Sequence, residues 1–228
     1  MRLNPVHSFI IIFILCGSIF SQEPERGRFY SQGDTKERII AITFDDSPSN
    51  ATNEILKLLQ LKNVRATFFI LGSNIGKKEQ MIKDIYADTH QLANHTFSHI
   101  NFHRYKIKDY KEKLKSEIIK TNNLILDQTG FYPNVFRMPH GYLKPWVREV
   151  AKELRMDIVH WSFGCDWKKM DKMEMFAGYI KAIKPGAVLL FHDNKQNLTE
   201  RLAILSYIID HARSEGYRFV TVNEMFGL

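Results

Sequence analysis

The sequence predicts an α/β domain in which parallel strands alternate with helices, arranged as a barrel or as a doubly wound sheet. Its strand candidates are continuously apolar rather than alternating, which is typical of parallel strands covered on both faces. Between them lie segments whose apolar residues recur at helical spacing. The chain has 228 residues, of which 44% are hydrophobic, and this is enough for one large domain with a full core.

The predicted elements follow one another from residue 39 onwards. Ile39–Phe44 is the first strand, and a helix over Asn53–Lys62 and a strand over Ala66–Leu71 come next. Lys78–Thr89 is predicted to be helical, and His103–Lys120 to be an amphipathic helix with a solvated charged face. The remaining strand candidates are Val135–Met138, Asp157–Trp161, Ala187–Phe191 and Tyr217–Val222. In folds of this kind the active site lies at the carboxyl ends of the strands.

The first residues have the layout of a secretory signal. Arg2 precedes an apolar run over Phe9–Leu15, and small residues follow. That run is shorter than the roughly 20 residues that a membrane-spanning helix needs. Residues 1–21 are therefore predicted to be a cleaved signal peptide, a lipid anchor through Cys16 or a retained N-terminal anchor. The protein is expected to be secreted or held at the cell envelope, with membrane contact only through this segment.

Residues 22–36 are polar and contain proline and glycine, and they are predicted to be a linker before a single domain over 37–228. The formal net charge is +7, which suits an anionic partner. The sequence carries no zinc-finger, aromatic RNA-binding or helix-turn-helix signature, so no nucleic-acid partner is expected. Without the leader, Cys165 is the remaining cysteine, which excludes a disulfide within one chain. A monomer is expected.

Two adjacent carboxylates, Asp45 and Asp46, directly follow the first predicted strand. Alone they could simply end the strand and cap the next helix. However, His95 and His99 lie four residues apart, and on a helix they would share one face and bind one metal. Thr96 stands where a zinc metalloprotease has its glutamate, so that class is disfavoured. One aspartate could complete the metal site while the other accepts a proton from water, and a nearby cation would relieve their repulsion.

Five short motifs occur in order along the chain, namely Thr43–Asp46 (TFDD), His95–His99 (HTFSH), Arg137–Gly141 (RMPHG), Asp166–Trp167 (DW) and Leu190–His192 (LFH). Together they resemble the polysaccharide deacetylases of carbohydrate esterase family 4, the NodB-homology domain, from about residue 37 to the C-terminus. The resemblance implies a distorted (β/α) barrel with parallel strands and with the active site at the C-terminal strand ends. Residues 37–228 would then be the catalytic domain.

The resemblance also implies a metal-dependent hydrolase that removes N-acetyl groups from a polysaccharide. The expected substrate is a cell-wall glycan such as peptidoglycan or a chitin-like polymer. Asp46, His95 and His99 would hold a divalent metal, with zinc expected. Asp45 would be the general base and His192 the general acid.

By the same resemblance, Arg137 would steady the base and Asp166 would orient the acid. A backbone N–H near His140 would stabilise the oxyanion, and the acetyl methyl group would lie in a small apolar pocket. The substrate-binding residues implied are His140, Gly141, Trp167 and Leu190.

Two departures from the family pattern bear on substrate preference. His140 replaces the aromatic residue usual in the third motif, and Phe163 stands where the shortened fourth motif often has an acidic residue. Two alternative functions stay open, a catalytically silent glycan-binding domain and an amidohydrolase acting on a non-sugar amide.

Residues without motif support are given structural roles. Trp161 is expected in the core and Cys165 is expected to be a small buried residue rather than a nucleophile. The histidines predicted to be structural or exposed are His103, His160 and His211.

Overall fold

The computed structural model describes residues 25–106 and 108–228 of the chain. The predicted signal or anchor over 1–21, with Cys16, and the first residues of the predicted linker lie outside the described residues. Within the described ranges, no helix has the length and apolar character required to cross a bilayer.

The described residues form one sheet of nine parallel strands. Its order is β1-β6-β5-β4-β3-β2-β8-β7, and β9 pairs with the first residues of β2. The strands are β1 (Phe29–Tyr30), β2 (Ile39–Ser47), β3 (Thr67–Ile70), β4 (Gln91–Asn94), β5 (Val135–Phe136), β6 (Asp157–Val159), β7 (Phe163–Gly164), β8 (Ala187–His192) and β9 (Arg218–Phe219).

Helices cover the outside of this sheet and connect its strands. Two short 3₁₀ turns add to them, at Gly76–Lys78 and Pro139–Gly141. The helices are α1 (Thr52–Leu61), α2 (Gly72–Ile75), α3 (Glu79–Ala87), α4 (Tyr110–Thr129), α5 (Pro145–Glu153), α6 (Lys172–Ala182), α7 (Leu198–Ser214) and α8 (Val222–Phe226).

The sheet curls so that its two ends approach each other. Only residues 160–162 separate β6, near one end of the strand order, from β7 at the other end. Ser162 bridges the gap, because its backbone N–H donates to the carbonyl oxygen of Val188 on β8 at 2.9 Å. The predicted α/β fold, a distorted barrel of parallel strands, is confirmed.

Alternate residues of the strands face two different apolar environments. Ile40, Ile42 and Phe44 on β2 pack outwards in a cluster that includes residues of α1 and α7. Residues in between face the barrel interior, where Val222 of α8 packs against them. These strand residues are Ala41, Phe69, Ala93, Val135, Val159 and Val188. Because both faces are buried, the strands read as continuous apolar runs.

The chain joins the sheet earlier than the sequence predicts. Phe29 and Tyr30 pair with Ile158 and Val159 on β6, although they lie in the segment predicted to be a linker. Gly33 also donates from its backbone N–H to the carbonyl oxygen of Gly186 at 2.8 Å. The linker prediction is therefore wrong from Phe29 onwards. A two-residue strand among polar neighbours is too short to carry a periodic signal.

Three other boundaries differ from the sequence prediction. The helix expected over His103–Lys120 begins at Tyr110 and continues to Thr129, where Gly130 ends it with a left-handed φ of 72°. The last predicted strand stops at Phe219, because Thr221 caps α8 through a reciprocal pair of hydrogen bonds with Glu224. Strand β4 was not predicted, since its sequence QLAN is half polar.

We predict that Gly186→Ala lowers the free energy of unfolding by about 3 kcal/mol. Gly186 has a φ of +74°, and an added Cβ would lie 2.9 Å from the Cα of Gly33. The change should combine backbone strain with a clash against the N-terminal segment. Gly130→Ala is the matched control, because Gly130 also has a positive φ but an added Cβ would meet no atom within 4 Å.

Urea unfolding of the two variants measures both effects. The control should lose about 1 kcal/mol, the cost of the left-handed φ alone. Equal losses in the two variants would show that the segment around Gly33 does not pack on the sheet.

Candidate active site

Asp45 and Asp46 lie near the end of strand β2, at a local irregularity in its pairing. Asp45 is still in register with His192 on β8, but the pairing of β2 with β3 shifts between Phe44 and Ser47. Asp46 has a left-handed φ of 65°. Such a bulge re-aims a side chain that would otherwise point to the opposite face of the sheet. As a result both carboxylates approach His95, whose Nε2 lies 3.6 Å from Asp45 Oδ2 and 3.8 Å from Asp46 Oδ1.

The two histidines lie on a strand end and a loop, not on a helix. β4 ends at Asn94, and His95 follows it directly. Thr96 and His99 have φ values of 66° and 54°, so the loop turns back sharply. The expectation of a shared helical face is wrong, although the loop still brings the rings together, with centroids 5.0 Å apart.

The donor set fits a divalent metal. One atom each from Asp46, His95 and His99 lie within 4.8 Å of one another. His99 Nε2 is 3.6 Å from Asp46 Oδ1, which is long for a hydrogen bond. Two ligands of one tetrahedral ion with bonds of about 2.0–2.2 Å stand roughly 3.3–3.6 Å apart.

The two imidazole rings have features that suit metal binding. The Nδ1–H of His95 donates to the carbonyl oxygen of Arg137 at 2.9 Å, which leaves Nε2 with its lone pair towards Asp46. Burial and the neighbouring His95 lower the pKa of His99 to about 4. Nε2 of His95 and the ring of His99 are therefore available to bind a metal.

Arg137 lies beneath the aspartates, inside the barrel, and its side chain is fully buried. Its guanidinium donates to Asp45 Oδ1 at 2.7 Å and stacks 3.9 Å from the ring centre of Phe69. Its other acceptors are Thr43 Oγ1 and the carbonyl oxygens of Val159 and His160. Burial opposes ionisation of Asp45, but Arg137 and His95 outweigh it and hold the pKa of this carboxyl below its ordinary value.

On the other side of the site, Asp166 holds His192. Asp166 Oδ1 lies 2.8 Å from His192 Nδ1, and Oδ2 accepts the backbone N–H of His192 at 2.7 Å. Burial lowers the basicity of this imidazole, but the hydrogen bond and the charge of Asp166 outweigh it, so the pKa of His192 is raised. Because Nδ1 is bound, Nε2 is the nitrogen left for a substrate.

A cavity of about 930 Å³ opens over these groups. Trp167 is 49% exposed, and its ring contacts that of His192 with centroids 5.2 Å apart. The predicted site residues that line the cavity are Asp45, Asp46, His95, His99, His140, Asp166, Trp167, Leu190 and His192. Arg137 and Gly141 are not in its wall.

Trp161 lines the cavity, although the sequence places it in the core. Its ring also packs on the barrel interior and lies 6.1 Å from the ring of Trp167. Gly141 has a φ of 64°, and an added Cβ there would lie 3.1 Å from the Trp161 ring. Gly141 therefore leaves room for the ring of Trp161, which lines the cavity. His140 is exposed beside the metal ligands, with its ring 4.7 Å from that of His99.

The remaining residues singled out by sequence lie away from the reacting groups. Cys165 is buried, and burial raises the pKa of its thiol to about 11, which disfavours a nucleophilic role. His160 is buried against Phe29, and burial lowers its pKa to about 4. His103 is exposed and His211 is half-buried.

Comparison with known proteins decides the family. The polysaccharide deacetylase family model matches residues 32–159. This chain belongs to the polysaccharide deacetylase family. The chain is 32% identical over 190 residues to the peptidoglycan-N-acetylglucosamine deacetylase PgdA of Listeria monocytogenes, covering 82% of this chain and 39% of that protein.

Two further relatives of this chain match over most of their length. A peptidoglycan-N-acetylglucosamine deacetylase of Bacillus cereus is 32% identical over 193 residues, covering 83% of this chain and 88% of the relative. The crystal structure of the Bc1960 peptidoglycan N-acetylglucosamine deacetylase superposes with a TM-score of 0.80 at 32% identity, covering 87% of this chain and 92% of that one.

A buried carboxylate that sequence reasoning missed holds the loop that carries His95 and His99. Glu117 on α4 accepts the backbone N–H groups of Phe97 at 3.0 Å and Ser98 at 2.6 Å, and it also binds the Ser98 hydroxyl. Burial opposes its ionisation, but Ser98 and Lys113 outweigh burial and keep the pKa of Glu117 below its ordinary value.

Asn94 holds the other end of the same loop. Its Oδ1 accepts the N–H of Thr96 at 2.7 Å, and its Nδ2 donates to Asn122 Oδ1 and to the carbonyl oxygen of Ile118.

A second missed residue, Arg201 on α7, donates to the carbonyl oxygen of His192 at 3.0 Å and lies 3.5 Å from Asp166 Oδ2. Apart from the local bond between Asn94 and Thr96, no sequence pattern indicates these contacts, because they join different elements.

We predict that Glu117→Gln weakens metal binding about tenfold, since groups that orient metal ligands typically contribute this much. The neutral amide is a poorer acceptor for two loop N–H groups, so His95 and His99 should be less well fixed. Glu112→Gln is the matched control, because Glu112 lies on the same helix with its side chain 75% exposed.

Competition with a chromogenic chelator gives the metal dissociation constant for each variant. Circular dichroism checks that both variants keep the fold. An unchanged dissociation constant in Glu117→Gln, or the same change in both variants, would exclude this positioning role.

Proposed function

We propose that this chain is a metal-dependent N-deacetylase that acts on an N-acetylated cell-wall polysaccharide, with peptidoglycan as the first candidate. The observation that carries the proposal is the pairing of Asp45 and His192 in register on β2 and β8, beside the donor set Asp46, His95 and His99. A base and an acid thus flank one metal site at the mouth of one cavity. The names of the relatives, which are peptidoglycan deacetylases, support the substrate.

Asp46, His95 and His99 are proposed to hold the ion, and two imidazoles with one carboxylate suit zinc. When bound, a divalent metal polarises a carbonyl oxygen and lowers the pKa of water. The lowered pKa of His99 supports a neutral ligand there, and the hydrogen bond from His95 Nδ1–H to the carbonyl oxygen of Arg137 directs His95 Nε2 to the site.

Asp45 is proposed to take a proton from the attacking water. Arg137 occupies Asp45 Oδ1, so Oδ2 is the oxygen that remains for the proton. The lowered pKa of Asp45 keeps the carboxylate ionised at neutral pH. Arg137 therefore acts as a positioning residue that fixes both the charge and the direction of the base.

His192 is proposed to complete the reaction from the opposite side. Water adds to the acetamide carbonyl carbon, the C–N bond breaks, and His192 gives a proton from Nε2 to the departing sugar amine. The products are acetate and a free amine. Asp166 orients the ring and raises its pKa, which favours the protonated form that the acid needs.

The apolar end of the cavity is proposed to hold the acetyl methyl group. Leu190 is 1% exposed and Trp167 forms the opposite wall. The turn containing His140 and Gly141 is proposed to supply the backbone N–H for the oxyanion. Its left-handed φ values, 56° and 64°, support a turn shaped for close approach to a ligand.

The proposed cellular setting rests on the sequence of the N-terminal segment. A secretory signal or anchor over 1–21 would deliver a monomeric catalytic domain to the cell envelope or outside it, where wall glycans lie.

Acetate release from purified protein tests the function. Metal-loaded protein should release acetate from peptidoglycan, and a chelator should abolish the release until metal is restored. N-acetylated chitin oligomers, O-acetylated xylan and small acetamides complete the panel. Failure to release acetate from any N-acetylated glycan, or a preference for the small amides, would overturn the proposal.

We predict different losses for the two aspartates. Asp46→Ala should lose both metal and activity, because it removes a ligand. Asp45→Asn should keep the metal and the fold but lower kcat about a thousandfold, because it removes the base. Metal content by atomic emission, measured beside kcat, separates the roles, and equal loss of metal in both variants would reverse the assignment.

We predict that Asp166→Asn moves the alkaline limb of the pH–rate profile to lower pH. Asp166 raises the pKa of His192, so without this anion the imidazolium loses its proton at a lower pH. Profiles of both proteins, with metal content matched, measure the shift. An alkaline limb that stays in place or moves to higher pH would remove Asp166 from its role.

A further inference from the structure

The active-site cavity continues past the reacting groups into a second, polar region. This region, here called the lysine arm, is lined by Lys168, Lys169, Met170, Asn194, Gln196 and Asn197. It begins where the apolar end stops, because Lys168 follows Trp167, whose ring contacts that of His192 at 5.2 Å. For a glycan with one sugar at His192, the lysine arm is the part of the same cavity that would face a neighbouring sugar.

The two lysines of the arm have no ion-pair partner among residues 25–106 and 108–228. Some other surface lysines form ion pairs, for example Lys62 with Asp210 at 2.6 Å, and others do not. What distinguishes Lys168 and Lys169 is that they line the cavity. Unpaired ammonium groups in the wall of a cleft attract anions, and each offers three donors.

The other charged groups at this end of the cavity offset the two lysines only in part. Arg201 is engaged by the carbonyl oxygens of His192 and Asn194 and by Asp166. Among the described residues that line this end, Glu200 is the one carboxylate beside Asp166, and Asp166 is compensated by His192 and Arg201. The arm is therefore positive, and its amide side chains suit sugar hydroxyl groups.

We propose that the lysine arm binds a carboxylate carried by the glycan, on the sugar next to the one that is deacetylated. This inference rests on the proposed function and narrows its substrate to a carboxylate-bearing N-acetylated glycan. The carboxylate belongs either to a lactyl ether on the sugar itself or to a peptide attached to it. Lys168 and Lys169 are then specificity residues, which discriminate this glycan from a neutral polymer of N-acetylglucosamine.

The test compares three oligosaccharides of equal sugar number: a neutral N-acetylglucosamine oligomer, a lactyl-bearing oligomer without peptide, and the same oligomer with peptides. For Lys168→Gln/Lys169→Gln, the ratio of kcat/KM for carboxylate-bearing over neutral substrate should fall about tenfold, mainly through KM. High salt should lower the same ratio for the unmodified protein. Comparison of the lactyl-bearing oligomer with the peptide-bearing oligomer shows which carboxylate is bound.

Lys57→Gln/Lys83→Gln is the matched control. Both lysines are exposed, lie on α1 and α3, and are outside the cavity, yet the change in net charge is the same. This control should leave the ratio unchanged. The same fall in both double variants, or no fall in Lys168→Gln/Lys169→Gln, would overturn the inference.

Calorimetric binding of the lactyl-bearing oligomer separates this inference from the proposed function. Weaker binding to Lys168→Gln/Lys169→Gln supports the lysine arm even if no acetate is released. Acetate release with unchanged binding in that variant leaves the proposed function standing and removes the lysine arm.

Discussion

The buried ion pair between Arg137 and Asp45 is the constraint on which the rest of the site depends. Both side chains are almost fully enclosed, with the Arg137 nitrogen 2.7 Å from the Asp45 oxygen. Removing two charges from water is costly unless every donor finds a partner. Arg137 meets this condition with Thr43 and with two carbonyl oxygens at the end of β6, where the curled sheet closes. Its own carbonyl oxygen fixes the ring of His95.

The site is built outwards from that pair on backbone that few residues adopt. Asp46, Thr96 and His99 all have left-handed φ values, between 54° and 66°. Such conformations persist only where surrounding contacts over-determine them. Glu117 and Asn94 supply these contacts by binding the loop N–H groups. The helix that carries Glu117 therefore helps to hold the loop of His95 and His99, the proposed metal ligands, without contacting either histidine side chain.

The sequence predicts the long elements well, and most of the predicted site residues lie around one cavity, for physical reasons. Strands such as β2 and β8 are buried on both faces, so their apolar runs are unmistakable, and the polar residues at their ends stand out. Two-residue strands such as β1 carry no such signal, and the linker prediction was wrong there. The helical reading of His95 and His99 was wrong because spacing alone cannot distinguish a helix from a tight loop. Glu117 and Arg201 were missed because their roles arise only from contacts between distant elements.

A double-mutant cycle on the free energy of unfolding tests the central claim most directly. Arg137→Met alone should destabilise the protein by about 3–5 kcal/mol, because it leaves the carboxylate of Asp45 buried without its partner. In the Asp45→Asn background the same change should cost at least about 2 kcal/mol less, since no uncompensated charge remains. Additive losses, with no coupling between the two positions, would contradict the account.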